Sequence, residues 1–475
     1  MGTPKTRVGI VGAGPAGLSA ASYLSQFSDF EVEMFESGRR SPARICPADR
    51  RLACLGCAGS CNVLSGVGGC IQPGDSIKLS MFPSGKRLLK HIGPENADFA
   101  IHQAMNFFGV DRCQFETKTI QKFGELDLRH YPIHEVDSRG VLELHEKFDA
   151  ITKQVHKFHS RRKITKIRPR EKSFFVEFNG KDTSNIEFDK IILATGRTGY
   201  NSIIDGSNSL NVVTRQPNIS VGIRLELPAK MLVSMFQAHK DFKFSKTYGE
   251  HKIKSFCFSS AGLMGGRLKF CHYDCQFDYP VTLLDGHANY DQQVPAAIDQ
   301  EAYGNIGLLV QLPLNCDSTW LNEVFLRQYV DQSGGKPIAQ SLAGFLHEAT
   351  GQTTTTVSVS DVVVGRVDRL FTGPQLSSLK GAILDVMNGI SSNSEFTVDE
   401  LIKAANCVGP EVEFFWPTAD VSRHFQTNVP GLYVAGDATG IAQGNFQASA
   451  CGSVAAYGIT IGEEQYYPEF GMAAE

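Results

Sequence analysis

The 475-residue chain contains no apolar run long enough to cross a bilayer, so no membrane-spanning helix is expected from it. It also lacks a strong charge of either sign: 46 Lys and Arg against 50 Asp and Glu leave a formal net charge of −4. Nothing in that balance favours a general affinity for nucleic acid, and neither nucleic acid nor membrane is expected as a partner. No secretory signal precedes the first apolar stretch, which points to a cytoplasmic protein. A second glycine-rich strand–turn–helix unit is missing after Gly199, and GLMGGR at 262–267 lacks a helix to support it. A separate resident NAD(P)H domain is therefore not expected. The length implies two or three lobes.

What the sequence does hold begins at once. Val8 to Val11 is an apolar run that breaks into Gly12-Ala13-Gly14-Pro15-Ala16-Gly17, and a helical pattern follows through Leu18, Ala21 and Leu24. A second apolar run, Val32 to Phe35, ends on Glu36. Strand, glycine turn, helix, strand and acid in this order predict a dinucleotide site. Gly12 permits the tight turn, Gly14 lets a pyrophosphate approach the backbone, and Gly17 lets helix and strand pack closely. The N-terminal dipole of the new helix favours the phosphates, and Glu36 is placed to accept hydrogen bonds from a ribose.

Helical faces are expected through Ala97–Phe108 and Leu144–Val155. Between Lys163 and Thr195 the period falls to two, with Ile164 and Ile167, then Phe174, Val176 and Phe178, then Ile186 and Phe188. This predicts a β-meander that returns to the sheet through KIILAT, a pattern typical of FAD-binding folds. The block 205–409 has its own candidate strands at Ile219–Leu227, Lys254–Phe258, Arg267–His272, Val281–Asp285 and Ile306–Leu312. Helical patterns follow at Ser318–Gln332 and Leu376–Ile390, and Thr397-Val398-Asp399-Glu400 reads as a capping box. The end resumes the first architecture: a strand at Gly431–Ala435, then Gly436-Asp437, then a helix of small residues from about Phe446 to Ile461.

Taken together, GAGPAG with Glu36, ILATGRTG and GLYVAGDATG resemble FAD-dependent oxidoreductases with a glutathione-reductase-type flavin fold. More narrowly, the chain resembles a family of largely uncharacterised FAD-dependent dehydrogenases. The pieces that carry the narrower likeness include Cys46-Pro47, Cys54-Leu55-Gly56-Cys57, Cys61-Asn62, VGIRLELP at 221–228 and Phe256-Cys257. Asp285-Gly286-His287, NIGLLVQ and GDATGIAQGNFQASACG complete them. The resemblance implies an α/β fold. A Rossmann-like FAD-binding domain with an inserted meander (1–204 and 410–475) would carry an inserted α+β substrate domain (205–409). It further implies FAD contacts at Gly12, Gly14, Ala16, Gly17, Glu36, Ser37, Ile167, Ala194, Thr195 and Gly196. Gly436, Asp437 and the helix start Gly444-Asn445-Phe446 join that set, with Arg44 on the phosphates. Two departures stand out: the glycine loop runs Gly68-Gly69-Cys70-Ile71-Gln72-Pro73-Gly74-Asp75-Ser76-Ile77-Lys78, and Gln443 stands where an arginine is common.

Three residues are candidate catalytic groups: Cys70 and Lys78 in that loop, and His287 as a general acid or base. Cys46, Cys54, Cys57 and Cys61 have the spacing of ligands for zinc or an iron–sulfur cluster; the same thiols also suit a Cys54/Cys57 redox pair, or packing alone. Cys257, Cys271, Cys275 and His272 are better read as core positions. The expected activity is a two-electron oxidation or reduction of a small organic substrate at flavin N5, of dehydrogenase or oxidase type, with an external electron acceptor or donor. A redox-neutral flavin isomerase or cyclase, and a non-catalytic electron carrier or redox sensor, are the alternatives.

Overall fold

The computed structural model describes residues 4–462 apart from 51–52, 55, 58–59, 117–119, 180–185, 200–203, 205–209, 274–276, 289–301, 350–356, 360 and 414. Cys275 and the threonine tract at 353–356 lie outside the described residues. Among the described residues no helix is long and apolar enough to cross a membrane.

Five parallel strands form the first sheet. Thr6–Val11 is central, flanked by Phe30–Glu36 and Lys190–Leu193, with Lys157–Ser160 and Leu432–Val434 at the edges. The central strand is covered on both faces, which is why it reads as an unbroken apolar run rather than an alternation. Its register aligns Val11 with Phe35 and Leu193, and Leu193 with Val434, so the strands' carboxyl ends form one rim. In open α/β sheets ligands bind at that rim.

The opening helix Pro15–Leu24 packs against the closing helix Asn445–Thr460. Small residues set their separation. A Cβ at Gly452 would lie 2.0 Å from the Ala16 carbonyl oxygen, and the Ser19 and Ser453 hydroxyl oxygens are 2.6 Å apart. The expected meander is present as Ile164–Pro169, Phe174–Phe178 and Ile186–Phe188, paired antiparallel.

The second lobe is built on a seven-stranded sheet. Its order is Ser245–Tyr248, His251–Ser259, Tyr303–Gln311, Ser220–Pro228, Asn406–Glu413, Ile338–Ser341 and Val363–Val364, antiparallel but for the last pair. A separate ribbon pairs Gly266–Tyr273 with Val281–Ala288. Each strand expected in this block is found, and Gly373–Ser392 and Val398–Ala404 form the later helices, the second opened by the Thr397–Glu400 capping box. The helix expected at 318–332 spans Ser318–Ser333, with a π turn at Leu321–Leu326. Asn406–Glu413 runs across the 409/410 division and is integral to this sheet.

Candidate functional site

At the carboxyl rim of the parallel sheet lies an open cavity. Its wall includes Gly12, Gly14, Ala16, Glu36, Ser37, Ala194, Thr195, Gly196, Gly436, Asp437, Gly444 and Asn445, all residues expected at a cofactor. Gly12 has φ +106, and a Cβ there would lie 2.3 Å from the Ala194 carbonyl oxygen, so only glycine lets the turn pass under that strand. The Glu36 carboxylate accepts the Ala13 N–H at 2.8 Å, the Gly38 N–H at 2.7 Å and the Gly66 N–H at 2.9 Å. It therefore ties the glycine turn to the loop beyond while still facing the cavity.

The wall has the chemistry of a dinucleotide cradle. Gly14 and Gly444 are the N-caps of the opening and closing helices, and neither helix has a side-chain cap. Both helix starts meet the cavity, so both dipole ends are available to negative groups of a ligand. Thr195 Oγ1 and Asp437 Oδ1 are buried without a hydrogen-bond partner. Burial pushes the Asp437 carboxyl up to about 6 against the pull of Arg197. Such groups await an incoming hydroxyl, and FAD supplies ribose and ribityl hydroxyls together with two phosphates. The residues fit the cofactor.

Other expected residues fall elsewhere. Gly17 lies beneath the turn: a Cβ there would sit 1.9 Å from the Gly12 carbonyl oxygen. Gly17→Ala is thus expected to abolish FAD retention and to cost about 1–3 kcal/mol through backbone displacement, read as a fall in denaturation midpoint. Ile167 is buried in the meander, and the Phe446 ring packs against Phe82, Phe108 and Phe115. Arg44 does not line the cavity. Its guanidinium donates to the carbonyls of Asn62, Val67 and Gly69 at 2.9, 2.9 and 2.6 Å, bracing the glycine loop from within. That burial lowers its pKa from the ordinary arginine value.

Of the three candidate catalytic groups, only Cys70 opens on the cavity. Its Sγ donates to Asn445 Oδ1 at 3.1 Å, which ties the exposed thiol to the start of the closing helix. Lys78 Nζ instead donates to the Phe258 and Lys240 carbonyls and lies 3.6 Å from Asp241, fastening the first lobe to the second. His287 Nδ1 is 2.9 Å from Asp75, which also holds Lys269 at 2.9 Å and pairs with Arg267. Burial opposes the charge on Asp75, but Lys269 and His287 hold its carboxyl well below the ordinary value.

The cysteines do not assemble as metal ligands. Among the described residues no three His, Cys, Asp or Glu side chains are placed to hold a metal ion, and all described cysteines are free. Cys46 is buried in the large hydrophobic cluster, where burial and Asp49 push its thiol up to about 11. Cys61 lines the cavity, and burial raises both it and Cys54. With no such grouping among the described residues, the zinc and iron–sulfur expectation is not supported.

The middle block yields a group that the sequence reading did not assign. Arg224, wholly buried, donates through Nη2 to Glu411 Oε1 at 2.7 Å, and its Nε lies 2.6 Å from Glu411 Oε2. It also donates to the Cys257 carbonyl at 2.7 Å and Asn305 Oδ1 at 3.1 Å, and lies 3.6 Å from Asp285. A Cβ at Gly286 would meet Arg224 Nη1 at 2.3 Å, and one at Gly307 would meet Glu411 at 2.8 Å. The four scattered patches VGIRLELP, Phe256-Cys257, Asp285-Gly286-His287 and NIGLLVQ are therefore one object in space, the housing of a single guanidinium. Burial works against its charge, yet Glu411 holds Arg224 above the ordinary value. The available signal was Arg224 inside the largely apolar run VGIRLELP; its partner Glu411 lies in another strand. From Asp285 the ion pairs continue to Arg197 at 2.7 Å, on the cavity wall.

This architecture is a Rossmann-like FAD-binding fold: a parallel sheet, a dinucleotide turn, an inserted meander, and a terminal strand and helix that return to close the site. In sequence, residues 6–233 match the family described as pyridine nucleotide-disulphide oxidoreductase. No curated protein matches the chain. Among solved structures, one similar chain is a flavoprotein/dehydrogenase from Cytophaga hutchinsonii, at 12% identity and TM-score 0.41, covering 97% of this chain and 80% of that one. Another is 2,6-dihydroxypyridine-3-hydroxylase from Arthrobacter nicotinovorans, at 12% identity and TM-score 0.40, covering 97% and 86%. CtdE in complex with FAD is similar at 12% identity and TM-score 0.39, covering 95% and 84%.

Proposed function

We propose that the chain is an FAD-dependent oxidoreductase that moves two electrons, as hydride, between a small organic substrate and flavin N5. The observation that carries this reading is the pair of uncapped helix starts, at Gly14 and Gly444, opening on one cavity with Asp437, whose Oδ1 is buried without a hydrogen-bond partner, in its wall. FAD, when bound, supplies the electron-accepting ring. The chain's own groups hold it: the Gly12–Gly14 turn and the first helix admit the pyrophosphate, Glu36 accepts from the adenosine ribose, and Asp437 accepts from a hydroxyl. The closing helix would meet the flavin's pyrimidine edge, where its dipole favours negative charge.

Residues 1–204 and 410–475 serve as the FAD-binding domain and 205–409 as the substrate lobe, except that Asn406–Glu413, which straddles the division, belongs with the substrate lobe's sheet. Cys70 stands on the same wall, its thiol bonded to Asn445 at the start of the closing helix. Electrons leave to dioxygen or another external acceptor. Anaerobic titration of the purified protein with panels of alcohols, amines and reduced nicotinamides tests the reading. Bound FAD that bleaches with one class and recovers in air is expected. Protein that binds no FAD sinks the proposal, and turnover without net electron transfer points to a redox-neutral flavin enzyme instead.

A further inference from the structure

We propose that Arg197 is the cation that neutralises the cofactor's phosphates, and that Asp285, Arg224 and Glu411 are positioning residues that aim it. The inference rests on the FAD reading and names a residue for a task that Arg44 cannot perform here. The Arg44 guanidinium is already spent on backbone carbonyls and lies behind the glycine loop.

Among the described residues, the arginines and lysines on the cavity wall are Arg162, Lys163 and Arg197. Two of them belong to the Glu36 end. The Arg162 N–H donates to the Glu36 carbonyl at 2.9 Å, its guanidinium lies 3.9 Å over the Phe178 ring, and Lys163 is its neighbour in the chain. Arg197 shares the wall with Asp437 and Cys70 and follows Ala194–Gly196, the segment packed on the glycine turn: a Cβ at Gly12 would lie 2.3 Å from the Ala194 carbonyl oxygen and 3.3 Å from Thr195 Cα. Cys70 follows Gly69, and a Cβ at Gly14 would be 3.6 Å from the Gly69 Cα, so this is also the region of the phosphate-binding turn. A dinucleotide laid along the wall would present its phosphates between the ribose end at Glu36 and the helix start at Gly444.

Arg197 is well held for the task. Nη2 binds Asp285 at 2.7 Å, leaving further N–H donors of the same planar group to address a phosphate. Asp285 is itself fixed by the Gly286 N–H at 2.9 Å and by Arg224, which Glu411 clamps. Each charge in this chain has an opposite neighbour, so the arrangement keeps Arg197 ionised although it is enclosed. Its pKa is accordingly held well above the ordinary value, burial being outweighed by the anions around it.

The test is FAD binding to apoprotein, with dissociation constants measured over a range of salt concentrations and folding followed by circular dichroism. Arg197→Met should raise the dissociation constant about 10- to 100-fold, the loss expected for a charge-assisted hydrogen bond to phosphate. It should also flatten the salt dependence, because one ionic contact is gone. Arg197→Lys should recover part of both, and riboflavin, which has no phosphate, should bind R197M and wild type alike. Wild-type protein that fails to bind FAD refutes the cofactor reading itself. Wild-type binding with R197M unchanged, or with R197K no better than R197M, refutes this inference alone. If R197M does not fold, R197K decides: near-wild-type affinity and salt dependence support the proposal, and a full loss overturns it.

Discussion

Arg224→Met is expected to destabilise the protein by about 3–5 kcal/mol, because it leaves Glu411 buried and uncompensated. The pair is enclosed on every side: Glu411 lies under Gly307, the guanidinium fills the space beside Gly286, and Cys257 and Asn305 receive its remaining bonds. Methionine covers the same volume but brings no charge and no donor. The carboxylate then has to be protonated or dragged toward water. Equilibrium denaturation should therefore show the loss shrinking as pH falls, since protonation of Glu411 removes the stranded charge. Combining Arg224→Met with Glu411→Gln should restore much of the stability, for the cost lies in the unpaired ion rather than in the missing attraction. A single variant less than about 1 kcal/mol below wild type would show that the site relaxes to admit water.

Glu226→Gln should act in the opposite direction and only at higher pH. Glu226 is fully buried in the same strand, accepts the Ser358 N–H at 2.9 Å through Oε2, and has no partner for Oε1. Burial, opposed only by the bonds to Ser358, raises its carboxyl from 4.5 to about 7. The folded state thus binds a proton that the unfolded state has already lost between these values. Stability attributable to this group is fully present below the unfolded pKa and falls as pH rises through the folded one. The loss amounts to about 3 kcal/mol by pH 8, taking 1.36 kcal/mol per unit. Glutamine keeps the shape and cannot ionise. E226Q should match wild type near pH 4 and exceed it in denaturation midpoint at pH 8. A parallel pH dependence in the two proteins would mean that the carboxyl finds solvent or a counter-ion.

The two ends of the chain were the most legible part. The opening glycines, Glu36, the period-two meander and the closing Gly436-Asp437 each declare themselves within a few residues. Their meaning is local: a strand period, a tight turn, a helix start. The middle block was legible as strands but not as a site, because Arg224 and Glu411 are 187 residues apart and meet only when their strands become neighbours. Lys78 and His287 looked reactive as isolated side chains, and each is in fact held in ion pairs with partners on other elements, at Asp241 and Asp75.

By itself the sequence determined the fold class and much of the wall of the cavity at the sheet's rim, since glycine at Gly12, Gly14 and Gly17 and the apolar runs beside them admit few other conformations. Only the tertiary structure decided which charges face that cavity. Arg44 and Arg197 are alike in position, each an arginine in the stretch that follows a strand of the parallel sheet. Packing turned the first inward to brace carbonyls and left the second on the wall, held by an aspartate nearly ninety positions away. The direction of a charged side chain depends on what surrounds it in space, and a long-range ion pair leaves no period in the chain to announce it.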